Sequence, residues 1–226
     1  MRYRFIFIIF LFFFINQISF SDSIKKDEKK DLKNINLFHE VPIFNDDGSV
    51  NAVIEVPSGE NQKWMVSKKT GKLKWEKKNN SFRYIKYLGY PVNYGIIPQT
   101  ITPKGDGGDG DPIDILVIGE KFTKGSVVKV KIIGVMKMLD NGEVDDKLLG
   151  IFIDSKIINV NLLSDINDLK NNYPGMLEIF KIWFENYKGT GQVIVKNFEN
   201  KIEALKIIEK SKEPYEVLKG YWKNNN

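Results

Sequence analysis

Three aspartates lie within six residues in the stretch DGDPID at 109–114, where they are Asp109, Asp111 and Asp114. Alternate side chains of an extended segment share a face, so Asp109 and Asp111 are expected to point the same way. Converging carboxylates raise one another's pKa unless a positive charge compensates them. The chain has no cysteine, and oxygen-only ligands favour Mg²⁺, Mn²⁺ or Ca²⁺ over zinc. The cluster therefore indicates a site for a hard divalent cation.

Two other interpretations of this cluster have to be weighed. A solvated acidic turn stays open, because Asp-Gly pairs are common in turns. A calcium loop of the EF-hand type, counted from Asp109, is rejected. Its fifth position is Ile113 and its sixth is Asp114, where the pattern requires an oxygen ligand and then glycine.

A second acidic set occurs in the stretch LDNGEVDDK at 139–147. It contains Asp140, Glu143, Asp145 and Asp146, with Lys147 directly behind them. By itself this stretch is an ordinary hairpin turn between two strands. Together with the first cluster it favours several metal ions in one site.

Positive and neutral donors come from other parts of the chain. Arg83 is the one arginine after Arg4, on a background of lysines. A planar guanidinium binds phosphate through two parallel hydrogen bonds, although a surface arginine without a function is the alternative. The stretch YPVNYG at 90–95 adds Tyr90 and Tyr94, whose phenols either donate to phosphate oxygens or are aromatic core residues.

These residues need a scaffold, and the apolar pattern predicts strands followed by helices. Strands are predicted at 52–57, 113–119, 126–139 (with a bend at Gly134) and 147–153, a hairpin at 64–76 around Thr70-Gly71, and helices at 174–189 and 199–211. The second helix is expected to turn Ile202, Leu205 and Ile207 or Ile208 inward. Many short strands followed by helices indicate a mainly β fold with helices (α+β), in which helices pack on a small closed barrel.

The N-terminus has the layout of a secretory signal peptide at residues 1–21. Arg2 and Arg4 precede an apolar run from Phe5 to Ile15, and Ser19 and Ser21 are small residues before a cut at Asp22. An uncleaved anchor is the alternative, but the run is shorter than the roughly 20 residues that span a bilayer. We therefore expect no stable membrane contact after cleavage.

Residues 22–35 are highly charged and predict a flexible leader, which leaves 36–226 as one domain. Without residues 1–21 the chain keeps 32 basic and 29 acidic residues, a net charge of +3. This charge is too small to indicate nucleic-acid binding.

The motifs resemble those of the soluble family I inorganic pyrophosphatases, in their order and near their spacing. DGDPID fits the aspartate signature of that family without a mismatch. The other matching motifs, between about residues 40 and 210, are VIEVP with Glu55, NQK with Lys63, YPVNYG with Tyr90 and Tyr94, LDNGEVDDK with Asp140, Asp145 and Lys147, and ENYKG with Tyr187 and Lys188. The resemblance implies a five-stranded OB-like barrel with flanking helices. It also implies hydrolysis of pyrophosphate to two phosphates with several Mg²⁺ ions, for which Mn²⁺ can substitute.

Site roles follow from the same resemblance. Asp111 is implied as the general base that takes a proton from the attacking water. The implied metal ligands are Asp109, Asp111, Asp114, Asp140 and Asp145, with Glu55 acting through water. The residues implied to hold the phosphates are Lys63, Arg83, Tyr90, Tyr94, Lys147, Tyr187 and Lys188.

Two positions depart from the family pattern. Met65 stands where the family has a glutamate, which favours a catalytically weakened member as one alternative. The stretch at 77–81 resembles an insertion, so Lys77 competes with Arg83 for the arginine role. We prefer Arg83, because a guanidinium binds phosphate through two parallel hydrogen bonds. A second alternative is an OB-type binding module without hydrolytic activity, which would need a basic or aromatic stripe. His39, the single histidine, is interpreted as structural or solvated.

Pyrophosphate is the expected small-molecule partner, and nucleic acid is not expected. A homo-oligomer is expected from the family, which includes dimers and hexamers. The signal peptide predicts export to a periplasm or medium, with an organelle or the cytoplasm as the alternatives.

Overall fold

A computed structural model describes residues 35–104 and 107–224. The chain divides into two units, residues 1–35 and 36–226, and every element below belongs to the second. The predicted signal peptide, and all but the last residue of the predicted leader, lie outside the described residues. In the part of the chain that is described, no helix is both long and apolar enough to cross a membrane.

Eleven strands, three α-helices and one short 3₁₀ helix make up the described fold. The strands are β1 (Val50–Val56), β2 (Trp64–Val66), β3 (Leu73–Trp75), β4 (Lys77–Lys78), β5 (Ser81–Phe82), β6 (Asn93–Ile96), β7 (Asp114–Ile118), β8 (Val127–Asp140), β9 (Glu143–Val144), β10 (Lys147–Phe152) and β11 (Val193–Asn200). The helices are α1 (Ile166–Asn172), α2 (Met176–Asn186) and α3 (Lys201–Asn224), and the 3₁₀ helix spans Val160–Leu162.

Five strands close into a ring. β1 pairs with β6, β6 with β7, β7 with β10, β10 with β8, and β8 again with β1. The β7–β10 pair is parallel and the other four are antiparallel. β9 and β11 extend the sheet from β8. The predicted mainly β fold, a five-stranded closed sheet with helices packed on it, is confirmed.

Successive residues of the central strands enter two different cores, as a pleated sheet requires. Ile115 of β7 belongs to a cluster that includes Ile208 of α3. The next residue, Leu116, belongs to a cluster that includes Phe180 of α2. The ring is therefore fixed on one face by α3 and on the other by α2.

The long strand β8 carries the predicted irregularity at Gly134. Its register with β10 shifts where Leu149 faces Gly134 and Gly150 faces Ile132. Such a bulge bends a strand and lets it take part in a closed sheet. This allows β8 to pair with β1, β10 and β11 along its length.

The second predicted helix is longer than expected and rotated. α3 continues through Pro214 to Asn224 because Tyr215 is buried, with its ring 5.4 Å from that of Phe38. Ile202 is 63% exposed, so its predicted inward orientation is wrong. Ala204, Ile208, Ser211 and Tyr215 form the buried face instead. The small side chains Ala204 and Ser211 belong to this face, and a search for large apolar residues alone overlooks them.

Candidate active site

A cavity of about 200 Å³ gathers side chains from distant parts of the sequence. All thirteen residues to which the resemblance gives a site role line it: Glu55, Lys63, Arg83, Tyr90, Tyr94, Asp109, Asp111, Asp114, Asp140, Asp145, Lys147, Tyr187 and Lys188. Met65 also lines the cavity. The ring topology thus assembles one site from motifs that are up to 133 residues apart, from Glu55 to Lys188.

The aspartate loop enters the cavity from an irregular segment before β7. The expectation of an extended strand at Asp109 and Asp111 is wrong, because Gly107 and Gly110 have φ angles of 83° and 79° and turn the chain. Only glycine adopts this region readily. Asp109 Oδ1 accepts hydrogen bonds from the Asp111 N–H and from Thr102 Oγ1, both at 2.8 Å. Both aspartates nevertheless line the cavity, as predicted.

Lys147 forms the buried centre of the site. It faces Asp114 in the parallel register of β10 and β7, and its Nζ donates to Asp114 Oδ2 at 2.6 Å and to Asp145 Oδ1. Burial lowers the pKa of Lys147, but the charges of Asp114 and Asp145 outweigh it and raise the pKa overall. Burial has the opposite effect on a carboxyl group. It raises the pKa of Asp145 to about 6, although the charge of Lys147 opposes this rise, and the charge of Asp114 adds to it.

Glu55 lies on β1 at the buried wall of the cavity. Its Oε1 accepts a hydrogen bond from the Val66 N–H at 2.5 Å, and its Oε2 lies 3.7 Å from Lys63 Nζ. The pKa of Glu55 is raised to about 7, mainly by burial, because Lys63 compensates only part of that cost. Lys63 Nζ also lies 4.0 Å from the centre of the Tyr94 ring, a cation–π geometry.

A short hairpin at 77–82 brings Arg83 to the cavity. β4 and β5 form a hairpin in which Asn79 and Asn80 have φ angles of 52° and 61°, typical of a tight two-residue turn. The hairpin returns the chain so that Arg83 Nη1 donates to both oxygens of Glu76, at 2.7 and 2.9 Å. Lys77 is exposed, with its Nζ 5.0 Å from the centre of the Phe82 ring, outside the cavity lining. The placement favours Arg83 over Lys77.

Helix α2 supports an aromatic wall of the cavity, which contains Tyr90 and Tyr187. Trp183 is stacked on Tyr187 with ring centres 4.7 Å apart and lies 4.6 Å from the ring of Tyr90. Burial raises the pKa of Tyr90, Tyr94 and Tyr187, so each phenol keeps its proton and is available as a hydrogen-bond donor. Lys188 directly follows Tyr187, and its Nζ donates to Asp140 Oδ2.

Two charged residues of the cavity lining, Glu76 and Lys68, are not predicted from the sequence. Glu76 accepts two hydrogen bonds from Arg83, which lies seven positions further along the chain on the other side of the hairpin. Lys68 lies after β2, and its Nζ donates to Asp111 Oδ1 at 2.5 Å and to the Gly110 carbonyl at 2.8 Å. The only sequence signal for Lys68 is a Lys-Lys pair before the Thr70-Gly71 turn, which is common in exposed hairpins.

The donor set fits divalent metal ions. Seven carboxylates and five cationic side chains line the cavity, a formal charge of −2. The raised pKa values of Glu55 and Asp145 show that buried carboxylates are incompletely compensated. Among residues 35–104 and 107–224, no three acidic or histidine side chains converge closely enough to enclose a cation. Lysine pairs such as Lys188 with Asp140 occupy the carboxylates instead, so a bound cation would compete with these lysines for the same oxygens.

Fold and cavity define a closed five-stranded, OB-like protein with one acidic and cationic site, and comparison with known proteins gives its family. The family profile described as inorganic pyrophosphatase matches residues 52–216. The inorganic pyrophosphatase of Bos taurus is 38% identical over 169 residues, which cover 68% of this chain and 57% of the bovine protein. The chain belongs to the inorganic pyrophosphatase family.

Solved structures agree with this assignment. The inorganic pyrophosphatase of Schistosoma japonicum superposes with a TM-score of 0.74 at 34% identity, covering 80% of this chain and 71% of that one. An N-terminally truncated vacuolar soluble pyrophosphatase of Trypanosoma cruzi, solved in complex with PPi, superposes with a TM-score of 0.73 at 28% identity, covering 81% and 79%. The chain spans 57% of the length of the bovine and human relatives.

Proposed function

We propose that this protein is a Mg²⁺-dependent inorganic pyrophosphatase, which hydrolyses pyrophosphate to two phosphates. One observation carries the proposal: a single cavity combines seven carboxylates, five cationic groups and three phenols. Carboxylates that recruit cations, beside lysines, an arginine and phenol donors that bind a polyanion, form the charge pattern that this reaction needs. The Trypanosoma cruzi relative in complex with PPi supports the choice of substrate.

The aspartates have two tasks in this proposal. Asp109, Asp111, Asp114, Asp140 and Asp145 would hold the metal ions, and Glu55 would contribute from the buried wall. When bound, Mg²⁺ supplies Lewis acidity, which lowers the pKa of water from 15.7 to about 7 in favourable sites. Asp111 accepts the proton of the attacking water. Its side chain is 53% exposed, and this access to solvent suits a base that must release the proton again.

The cationic groups and the phenols bind the two phosphoryl groups. Arg83 is held by Glu76 with its guanidinium partly exposed, and Lys63 is fixed over the Tyr94 ring. Tyr90 and Tyr187 donate from the aromatic wall because their phenols stay protonated. Lys147 and Lys188 donate to aspartates that would hold the metal ions, namely Asp114, Asp145 and Asp140. Their ammonium groups would balance the charge of the leaving phosphate.

The test is phosphate release from pyrophosphate by the purified protein. We expect turnover with Mg²⁺, slower turnover with Mn²⁺ and none with a chelator. A catalytically weakened member would turn over slowly with Mg²⁺ and improve when Met65 is replaced by glutamate. No turnover with either metal would contradict the proposed function and would leave the non-enzymatic OB-type module as the interpretation.

We further propose that the protein is exported and forms a homo-oligomer. The charged, apolar and small-residue layout of residues 1–21 supports export. Exposed apolar side chains near α2, namely Leu88, Ile179 and Ile182, support self-association. N-terminal sequencing of the mature protein after cell fractionation tests export against an organelle or the cytoplasm, and light scattering on the purified protein tests the oligomer.

A further inference from the structure

Lys68 contacts the aspartate loop at two points. Its Nζ donates to the carbonyl of Gly110 at 2.8 Å and to Oδ1 of Asp111 at 2.5 Å. The side chain of Lys68 is 32% exposed, so most of it is packed against the protein. Because one ammonium group binds both the backbone and the side chain of adjacent residues, it restrains the rotation of the Asp111 carboxylate relative to its own loop.

The turn that carries Lys68 is itself held in place. The Lys68 carbonyl lies 2.8 Å from Nε2 of His39, and Nδ1 of His39 lies 3.0 Å from the hydroxyl of Tyr215 on α3. Within the turn, the Gly71 N–H donates to the Ser67 carbonyl at 2.7 Å. The Lys68 ammonium is thus carried by a turn connected to the buried part of the longest helix.

The backbone of Asp111 is fixed separately. Its carbonyl accepts hydrogen bonds from the Thr102 N–H at 2.8 Å and from Thr102 Oγ1 at 2.9 Å, and its own N–H donates to Asp109. These contacts set the position of the main chain but leave the carboxylate free to rotate. The contact with Lys68 is the described interaction that sets the direction of the carboxylate.

We propose that Lys68 is a positioning residue, which binds Oδ1 of Asp111 and so directs Oδ2 to the water that attacks the substrate. This inference rests on the proposed function and adds to it a residue outside the motifs recognised in the sequence. The competing interpretation is a counterion that occupies Asp111 only until a cation replaces it. The two interpretations predict opposite effects when the charge of Lys68 is removed.

The experiment compares three variants of the full chain: Lys68→Met, Lys68→Arg and Lys69→Met. Lys69 is the exposed neighbour of Lys68 and serves as the matched control. The first measurement is kcat and KM for pyrophosphate at saturating Mg²⁺, together with the Mg²⁺ concentration that gives half the maximal rate. The second is hydrogen exchange of the amides at 107–114, with a chelator and with Mg²⁺, which requires no turnover.

For Lys68→Met we expect kcat to fall about tenfold or more, since a misplaced catalytic group costs up to about a hundredfold. KM should change less than about twofold, and Lys68→Arg should restore most of kcat because the guanidinium can bind both acceptors. Hydrogen exchange of the amides at 107–114 should be faster in Lys68→Met than in the wild type, both with the chelator and with Mg²⁺. Lys69→Met should match the wild type in every measurement.

Two outcomes would overturn the inference. In the first, kcat of Lys68→Met is unchanged or higher and the half-maximal rate is reached at a lower Mg²⁺ concentration. This result would identify Lys68 as a counterion of Asp111 that a cation replaces. Unchanged exchange at 107–114 shows that Lys68 does not hold the loop. If the wild type itself has no turnover, the proposed function fails, and the exchange measurement still decides whether Lys68 fixes the position of Asp111.

Discussion

Lys147 and Asp114 are direct neighbours in the parallel pairing of β10 with β7, and their charged groups lie 2.6 Å apart. Lys147 is only 2% exposed, and it also donates to Asp145 two residues before it. One buried ammonium therefore compensates two carboxylates that belong to the two acidic motifs of the sequence. Lys147 and Asp114 are 33 positions apart in the sequence and meet because β10 and β7 pair in the closed ring. Neither motif alone predicts this contact.

Replacement of this ammonium should destabilise the metal-free protein strongly. We expect Lys147→Met to lower the free energy of unfolding by about 3–5 kcal/mol, the usual cost of leaving buried charges without their partner. Mg²⁺ should recover part of this loss because it compensates the same carboxylates. Urea unfolding with a chelator and with Mg²⁺ measures both effects.

Lys121→Met is the control for Lys147, because Lys121 pairs with Glu60 at 3.1 Å on the surface. Such exposed pairs contribute about 0–1 kcal/mol, so this variant should unfold almost like the wild type. Equal losses in the two variants would contradict the special position of Lys147.

Removal of the proposed general base should affect turnover and leave the fold intact. We expect Asp111→Asn to lower kcat by about 10²–10⁴-fold, the usual contribution of general-base catalysis. Its melting temperature should hardly change because the side chain is 53% exposed. Phosphate release and thermal unfolding on the same preparation measure the two effects. Asp154→Asn, at an exposed acid outside the cavity lining, should keep the wild-type rate, whereas a near wild-type rate in Asp111→Asn would refute the assignment.

The sequence predicted most of the site, because its residues occur in short motifs whose chemistry is local. The aspartates at 109–114, Lys63 and Tyr94 all line the cavity as expected. The geometry of the guanidinium favours Arg83 over Lys77, and the hairpin at Asn79 and Asn80 gives the structural reason. Residues that act through non-local contacts were missed. Lys68 reaches Asp111 over 43 positions, and its sequence neighbourhood indicates only a surface turn.

The fold shows the same division between local and non-local information. Periodicity located β7, β8 and β10 because their apolar runs are long. It missed β6 at Asn93–Ile96, which is short and contains Asn93 and Gly95. Asn93 is fully buried because its amide donates to the Val117 and Glu120 carbonyls, a non-local arrangement. The extension of α3 past Pro214 likewise depends on the packing of Tyr215.

The buried carboxyl of Glu55 should make the stability of the metal-free protein depend on pH. Its pKa rises from 4.5 to about 7 on folding, so the folded state favours the protonated form. The stabilisation is fully present below about pH 4.5 and is lost as the pH rises through about 7. Relative to Glu55→Gln, the wild type should lose about 3 kcal/mol across this range, at about 1.4 kcal/mol per pKa unit.

Urea unfolding of the wild type and Glu55→Gln between pH 4 and 8 with a chelator measures this difference. Repetition with Mg²⁺ is the internal control, because nearby cations favour the ionised carboxylate and should flatten the curve. Parallel curves for the two proteins without metal would show that Glu55 does not change its protonation state on folding.

Glutamate should be tolerated at position 65, where this chain has Met65 and the family pattern has a glutamate. Met65 lines the cavity, so Met65→Glu adds a negative charge next to the carboxylates that are proposed to hold cations. We expect turnover at or above the wild-type rate, with half-maximal activity at a lower Mg²⁺ concentration. Met65→Gln has a similar shape without the charge and should leave the Mg²⁺ dependence unchanged. A collapse of activity in Met65→Glu alone would show that the surrounding charges are balanced for a neutral side chain here.

Gly95 fixes the approach of β6 to β1 next to Tyr94, and its replacement should disturb both stability and the site. A Cβ atom at this position would lie 2.0 Å from the Val53 carbonyl oxygen, and backbone cannot yield as a flexible side chain does. We expect Gly95→Ala to lose about 3 kcal/mol or more of stability and to raise KM, because Tyr94 moves with the strand. Gly220→Ala is the control, since nothing lies within 4 Å of its added Cβ on helix α3. That variant should gain up to about 1 kcal/mol at unchanged KM, and similar urea midpoints for the two variants would show that β6 can shift away from β1 without cost.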